Sequence, residues 1–210
     1  MFMLRQTFLS SGLSLVLAVV LLANSAQPTQ QAVAPASANL IVLTLDPGRC
    51  ALRWTLGSTL HTVHGTFALK RGVVRLDPIT STVNGEIVAD ATSGESGNGS
   101  RDRRMHNEIL ESTRYTEVVF RPDGVAGNIP ATGSAALRIH GTLSLHGSDH
   151  EITVPVQVEL ENGQWKGRAK FAIPYVQWGL KNPSNFLLKV DAGVDIDLEM
   201  TGGLRNSPHS

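Results

Sequence analysis

Past residue 40, apolar residues recur at every second position, the period of a strand with one buried face. The run LIVLTLD predicts an apolar first strand, closed by Pro47-Gly48. CALRWTLG then places Leu52, Trp54 and Leu56 on one face, and HTVHGTFALKRG does the same with Val63, Gly65, Phe67 and Leu69. Lys70-Arg71-Gly72 reads as a polar turn before VVRLDP, and STVNGEIVADA groups Val83, Ile87 and Ala89. TEVVFRPDG predicts a short strand stopped by Pro122. The strongest pair follows. SAALRIHGTLSLHG carries Ala135, Leu137, Ile139, Leu143 and Leu145 in one register, answered by Ile152, Val154, Val156, Val158 and Leu160 across an HGSDHE hairpin. ENGQ turns into WKGRAKFAI, with Trp165, Ala169, Phe171 and Ile173 together. FLLKVDAGVDIDLEM reads as the closing strand, alternating Val194, Ile196, Leu198 and Met200 against acids.

About eight strands joined mostly by tight turns predict a meandering antiparallel sheet. One-sided alternation leaves a sandwich or a closed barrel. Gly65, Gly85 and Gly141 fall in the apolar register, where curvature needs them. Closure also removes sheet edges. A barrel of about eight strands has an interior wide enough for one small ligand.

One segment breaks the alternation: SGESGNGSRDRRMHNEILESTRY, residues 93–115. Its glycine-rich start reads as a flexible loop, and it lacks the lysine of a phosphate loop. Ser100 is the expected N-cap, Asp102 suits the first turn, and Met105 and Ile109 share a face of a short helix near residues 100–111. At about three turns such a helix cannot stand alone in water, so its face must rest on the sheet.

Composition adds three constraints. Lys plus Arg and Asp plus Glu balance at 18 each, which gives no global field for nucleic acid or for an anionic membrane surface. Arg5, the apolar run 8–23 and the small residues after it read as an export signal over 1–26, with an uncleaved anchor as the alternative. Residues 27–38, QPTQQAVAPASA, read as a disordered linker, residues 39–202 as the folded domain and 203–210 as a loose tail. The single cysteine, Cys50, allows no internal disulfide and reads as a small buried apolar group.

Three stretches resemble the YceI-like family of polyisoprenoid-binding proteins. They are RDRRMHNEILESTRYTEVVFRP, then LRIHGTLSLHGSDHEITVPVQV with Gly141, Leu143, Gly147 and Pro155, and AKFAIPYVQWGL ahead of the closing strand. The chain departs from the pattern where only Tyr115 fills the place of an aromatic pair, and where Tyr175 or Val176 stands for the family's usual arginine. The resemblance implies an all-β, eight-stranded antiparallel lipocalin-like barrel with one short helix. It also implies a non-enzymatic binding role, with a polyisoprenoid or quinone-type lipid inside and the helix as lid or side wall. The cavity residues expected on that reading are Trp54, Phe67, Met105, Ile109, Phe120, Leu137, Ile139, Leu143, Phe171, Ile173 and Trp178. The expected partner is an apolar lipid in a periplasmic or secreted setting, with no nucleic acid. A transient membrane contact and a homodimer stay open.

Other chemistry has a weaker sequence basis. His61 and His64 lie three apart and so point to opposite faces of a strand, and His140 and His146 are six apart. No metal is expected, although a histidine-based metal-dependent enzyme remains an alternative. Ser148, Asp149 and His150 are adjacent, whereas a catalytic triad converges from separate segments. Asn98-Gly99-Ser100 matches a glycosylation triplet. A β-sandwich interaction module with a filled core is the other alternative.

Overall fold

The computed structural model describes residues 39–208, so the expected signal segment and linker lie outside the described residues. Nine strands follow one another: β1 (Asn39–Leu45), β2 (Ala51–Leu56), β3 (Val63–Asp77), β4 (Thr82–Glu95), β5 (Glu117–Ala126), β6 (Gly133–Leu145), β7 (Ser148–Glu161), β8 (Gln164–Ile173) and β9 (Val194–Pro208). Every pairing is antiparallel. β1 and β2 both bridge β3 and β9: Leu43 faces Val74 and Leu204, while Trp54 faces Gly65 and Ile196. They are two halves of one stave, broken by a 3-10 turn at Pro47–Arg49. Eight staves therefore close on themselves as an up-and-down barrel, and the sandwich alternative falls.

The periodicity located the strands and misread two interruptions and both ends of the closing strand. Lys70-Arg71-Gly72 is no turn, because β3 runs through it with a bulge between Leu69 and Arg71. The bulge inserts a residue and flips the inward phase from Phe67 and Leu69 to Val74 and Leu76, which in sequence resembles a break. Pro122 does not stop β5. It sits at another bulge, opposite Gly141, a place where a strand tolerates proline. A Cβ on Gly141 would collide with the Arg121 carbonyl, so this crowded crossing requires glycine. The expected loose tail is also ordered to Pro208, since β9 continues alongside β1 from Gly202 to Pro208. Conversely, Phe186-Leu187-Leu188 belongs to a loop, and the strand starts only at Val194.

The two ends of the barrel differ. One is closed by tight connections, including the Asn162-Gly163 hairpin, with positive φ at both residues (49° and 72°), as a primed two-residue turn demands. At the other end, His146-Gly147 is a second such turn (52° and 79°). The remaining connections there are residues 57–62, 96–116 and 174–193, the last two long. Two apolar clusters follow this polarity. Leu43, Leu76, Val83, Leu137, Val158, Leu160, Trp165 and Met200 pack toward the tight end, and Trp165 Nε1 donates to the Thr44 carbonyl at 3.1 Å. Leu145, Tyr175 and Leu180 gather Ile109, Leu110 and Trp178 at the long-loop end.

Candidate lipid-binding cavity

All eight staves point apolar side chains at one another, yet the interior is not filled. A cavity of about 620 Å³ extends between the two clusters. That volume lies within the usual range of ligand pockets, about 300–1,000 Å³. The structure brings together ten of the eleven expected residues along its wall: Trp54, Phe67, Met105, Ile109, Phe120, Leu137, Ile139, Leu143, Phe171 and Ile173. Trp178 is the exception. It lies outside the cavity, with its ring stacked on His150 at 4.1 Å and 2° between planes.

Packing of small against large shapes the wall. The indole of Trp54 lies against Gly65 of β3, and a Cβ there would collide with the ring. Val156 is half-buried, lines the cavity and sits between Leu137 and the small Ala169. The lining is apolar along the barrel shaft. Its polar members, including Ser58, His61, Asp90, Ser100, Arg101 and Arg104, come from the strand ends and connections of the long-loop end. Asp90 accepts from the Thr92 hydroxyl at 2.6 Å and from the Thr92 amide, which holds its carboxyl below the usual range.

The interrupting segment forms α1 (Gly99–Arg104), followed by one π-helical turn over Met105–Ile109. Its N-cap is Asn98 rather than Ser100: the Asn98 side chain accepts from the Ser100 and Arg101 amides. Asp102 caps backward onto Ser96, accepting from its amide at 3.0 Å. The wider π turn lets Leu110 N reach the Met105 carbonyl and aims both Met105 and Ile109 into the cavity. Met105 meets Phe67 over Gly94, where a Cβ would lie 2.8 Å from the Met105 methyl.

His106 pins this helix to β4. A carbonyl only accepts, so Nε2 carries the proton donated to Gly94 O at 2.8 Å, while Nδ1 lies 2.8 Å from the hydroxyl of buried Ser112. Glu108 joins the helix to the 174–193 connection through Lys181 Nζ at 3.0 Å and also meets Arg104 at 3.3 Å. Lys181 first, then Arg104, lowers the Glu108 pKa. Tyr175 donates to the Asp191 carbonyl at 2.8 Å, and burial raises its pKa.

The remaining sequence candidates stay apart. His64 pairs with Thr55, His140 with Asp123 at 2.6 Å, and His146 with Glu111 at 3.2 Å. Ser148, Asp149 and His150 string along β7, where Asp149 accepts from Ser144 Oγ and His150 stacks on Trp178. Cys50 is half-buried, and its thiol donates to the Asp46 carbonyl at 3.0 Å.

Several cavity residues escaped the sequence reading. Leu52, Leu56, Leu69, Leu145, Val154 and Val156 stand in apolar registers that the period gives, and Val118 shares that of Phe120, so the period itself held the signal. Tyr175, Leu180, Leu188 and Val190 come from an aperiodic loop and left no such trace.

Comparison with known proteins agrees with the architecture. BcnA of Burkholderia cenocepacia superposes with a TM-score of 0.62 at 16% identity, over 75% of this chain and 99% of that one. A polyisoprenoid-binding domain from Saccharophagus degradans gives 0.60 at 16% identity, over 77% and 98%. The YceI protein of Campylobacter jejuni gives 0.53 at 14%, over 70% and 86%. Among curated proteins there is no match. The YceI-like domain model matches residues 43–202, nearly the whole barrel, and the chain therefore belongs to the YceI-like domain family.

Proposed function

We propose that this protein is an exported, non-enzymatic carrier that holds a long apolar lipid of polyisoprenoid or isoprenoid-quinone type inside its barrel. The observation that carries the reading is the 620 Å³ apolar cavity, walled by every stave. Each methylene buried there contributes about 0.8 kcal/mol, so a hydrocarbon chain binds without charged contacts along the shaft. The similar fold of a polyisoprenoid-binding domain from Saccharophagus degradans supports the chain type. The helix and the 174–193 connection wall one end, and the Glu108–Lys181 pair joins them. Arg5 and the apolar run 8–23 support export.

Organic extraction of protein purified from its own host, followed by mass spectrometry, tests the reading. A prenyl lipid near one per chain is expected, and a barrel that yields none and takes up none on reconstitution overturns it. Cleavage near Ser25 or Ala26, read from the mass of the mature chain, tests export; an intact N-terminus on the isolated protein opposes it.

A further inference from the structure

The most exposed large apolar side chains lie where cargo would pass. Phe186 is 94% exposed, Leu187 80% and Leu60 71%, and all three sit on connections at the long-loop end. Scattered apolar residues on a surface are ordinary. These are not scattered, because their two loops are joined: Thr59 N donates to the Lys189 carbonyl at 2.9 Å, Asp191 N donates to Gly57 O, and Ser58 bridges Val190. Phe186 and Leu187 form the tip of a turn held by Asn185, whose side chain accepts from the amides of Leu187 and Leu188. The tip is thus presented by a fixed turn.

The inward side of the same loops lines the cavity. Leu188 and Val190 follow Phe186 and Leu187, and Ser58 and His61 flank Leu60. Leu188 and Val190 thus join the outer tip to the cavity lining within one loop. Charge points the same way. The connections at this end carry six basic residues (Arg101, Arg103, Arg104, Arg114, Lys181 and Lys189) against four acidic ones (Asp102, Glu108, Glu111 and Asp191). The connections at the tight end (78–81, 127–132 and 162–163) carry no charge and expose a single large apolar residue, Ile79.

We infer that the Leu60, Phe186 and Leu187 tips dock the barrel, mouth first, on an anionic lipid bilayer, so that cargo passes between hydrocarbon and cavity without crossing water. This rests on the proposed lipid-carrier function. Apolar tips enter the acyl boundary while basic neighbours meet anionic headgroups. The contact is reversible, since three side chains bury little area compared with a lipid anchor.

Tryptophan placed at the tip tests the docking in the full-length chain. F186W and I79W are each mixed with phosphatidylcholine–phosphatidylglycerol vesicles brominated on the acyl chains, and the wild-type emission is subtracted. The added emission of F186W should shift to the blue and be quenched, while that of I79W stays unchanged. The readout is local to each residue, so the apolar run 8–23 cannot mimic it. Equal behaviour of the two variants overturns the proposal. So does a blue shift of F186W that grows with protein concentration in the absence of vesicles, which would assign the patch to a second copy of the chain. A second variant, F186S/L187S, should reduce vesicle partitioning of the mouth by about tenfold or more, the scale of losing two large apolar side chains. The emission readout needs no cargo, and loading wild-type barrel with prenyl alcohol added from solvent tests the cavity separately.

Discussion

Val156→Phe distinguishes a hollow barrel from a filled one by the sign of its effect on stability. Val156 points into the cavity from β7, is half-buried, and has Leu137 and Ala169 as cross-strand neighbours. Both valine and phenylalanine suit a strand, so backbone propensity changes little. In a hollow barrel the ring enters empty space over Ala169 and removes additional apolar surface from water. At about 0.8 kcal/mol per methylene equivalent, incomplete burial of the added carbons stabilises the lipid-free protein by about 1–2 kcal/mol. For a domain of this size that raises Tm by about 3–6 °C. In a filled core the same ring overpacks and costs about 1–3 kcal/mol. The assay is urea unfolding of solvent-extracted protein, followed by reloading with prenyl lipid. The hollow barrel predicts a raised midpoint together with reduced lipid uptake, because the ring occupies the volume of the cargo. A lowered midpoint with unchanged uptake refutes the reasoning, placing the lipid elsewhere and solid packing at Val156.

Three further perturbations probe separate links. Leu143→Glu puts a carboxyl in the apolar shaft. Buried glutamates titrate as high as about pH 8–9, which corresponds to a cost near pH 7 of roughly 3–4 kcal/mol; lipid copurification should disappear, and unchanged lipid content would remove Leu143 from the wall. His106→Leu deprives the buried Ser112 hydroxyl and Gly94 carbonyl of their partner, at a local cost of about 1–3 kcal/mol; hydrogen exchange should accelerate over 99–112 and leave the strands unchanged, whereas uniform acceleration would contradict a local pin. Glu117 is held at a pKa of about 2, first by Arg71 and then by Lys70, against an ordinary 4.5. Its folded pKa is depressed, so its contribution is present above pH 4.5 and is lost as pH falls from 4.5 toward 2. Glu117→Gln should flatten that part of the profile of urea midpoint against pH, and an unaltered profile would dissociate the ion pair from acid stability.

The barrel was legible because its inward face follows period two over most of each strand, from Leu52-Trp54-Leu56 to Val194-Ile196-Leu198-Met200. It was illegible where one residue shifted the phase. The bulge beside Arg71 looked like a turn, and Pro122 looked like a stop, because a sequence shows the lost alternation but not the partner strand that tolerates it. Whether the inward face met other side chains or empty space was also beyond periodicity, which reads the same for a core and for a cavity. The helix was placed within a residue or two, but its cap was misassigned: Asn98, singled out as part of a glycosylation triplet, is the residue whose side chain closes the first turn. Trp178 is the one expected cavity residue that does not line the cavity. It lies in the aperiodic 174–193 connection, where no register fixes a direction, and it covers His150 instead.

The most direct test of the central claim is an experimental structure of the protein with its extracted lipid rebound. A chain of density along the barrel axis, touching Phe120, Ile139, Leu143 and Phe171 and ending beside Met105, is the predicted result. Side chains closing the axis, with the lipid on the outer wall or absent, would contradict it.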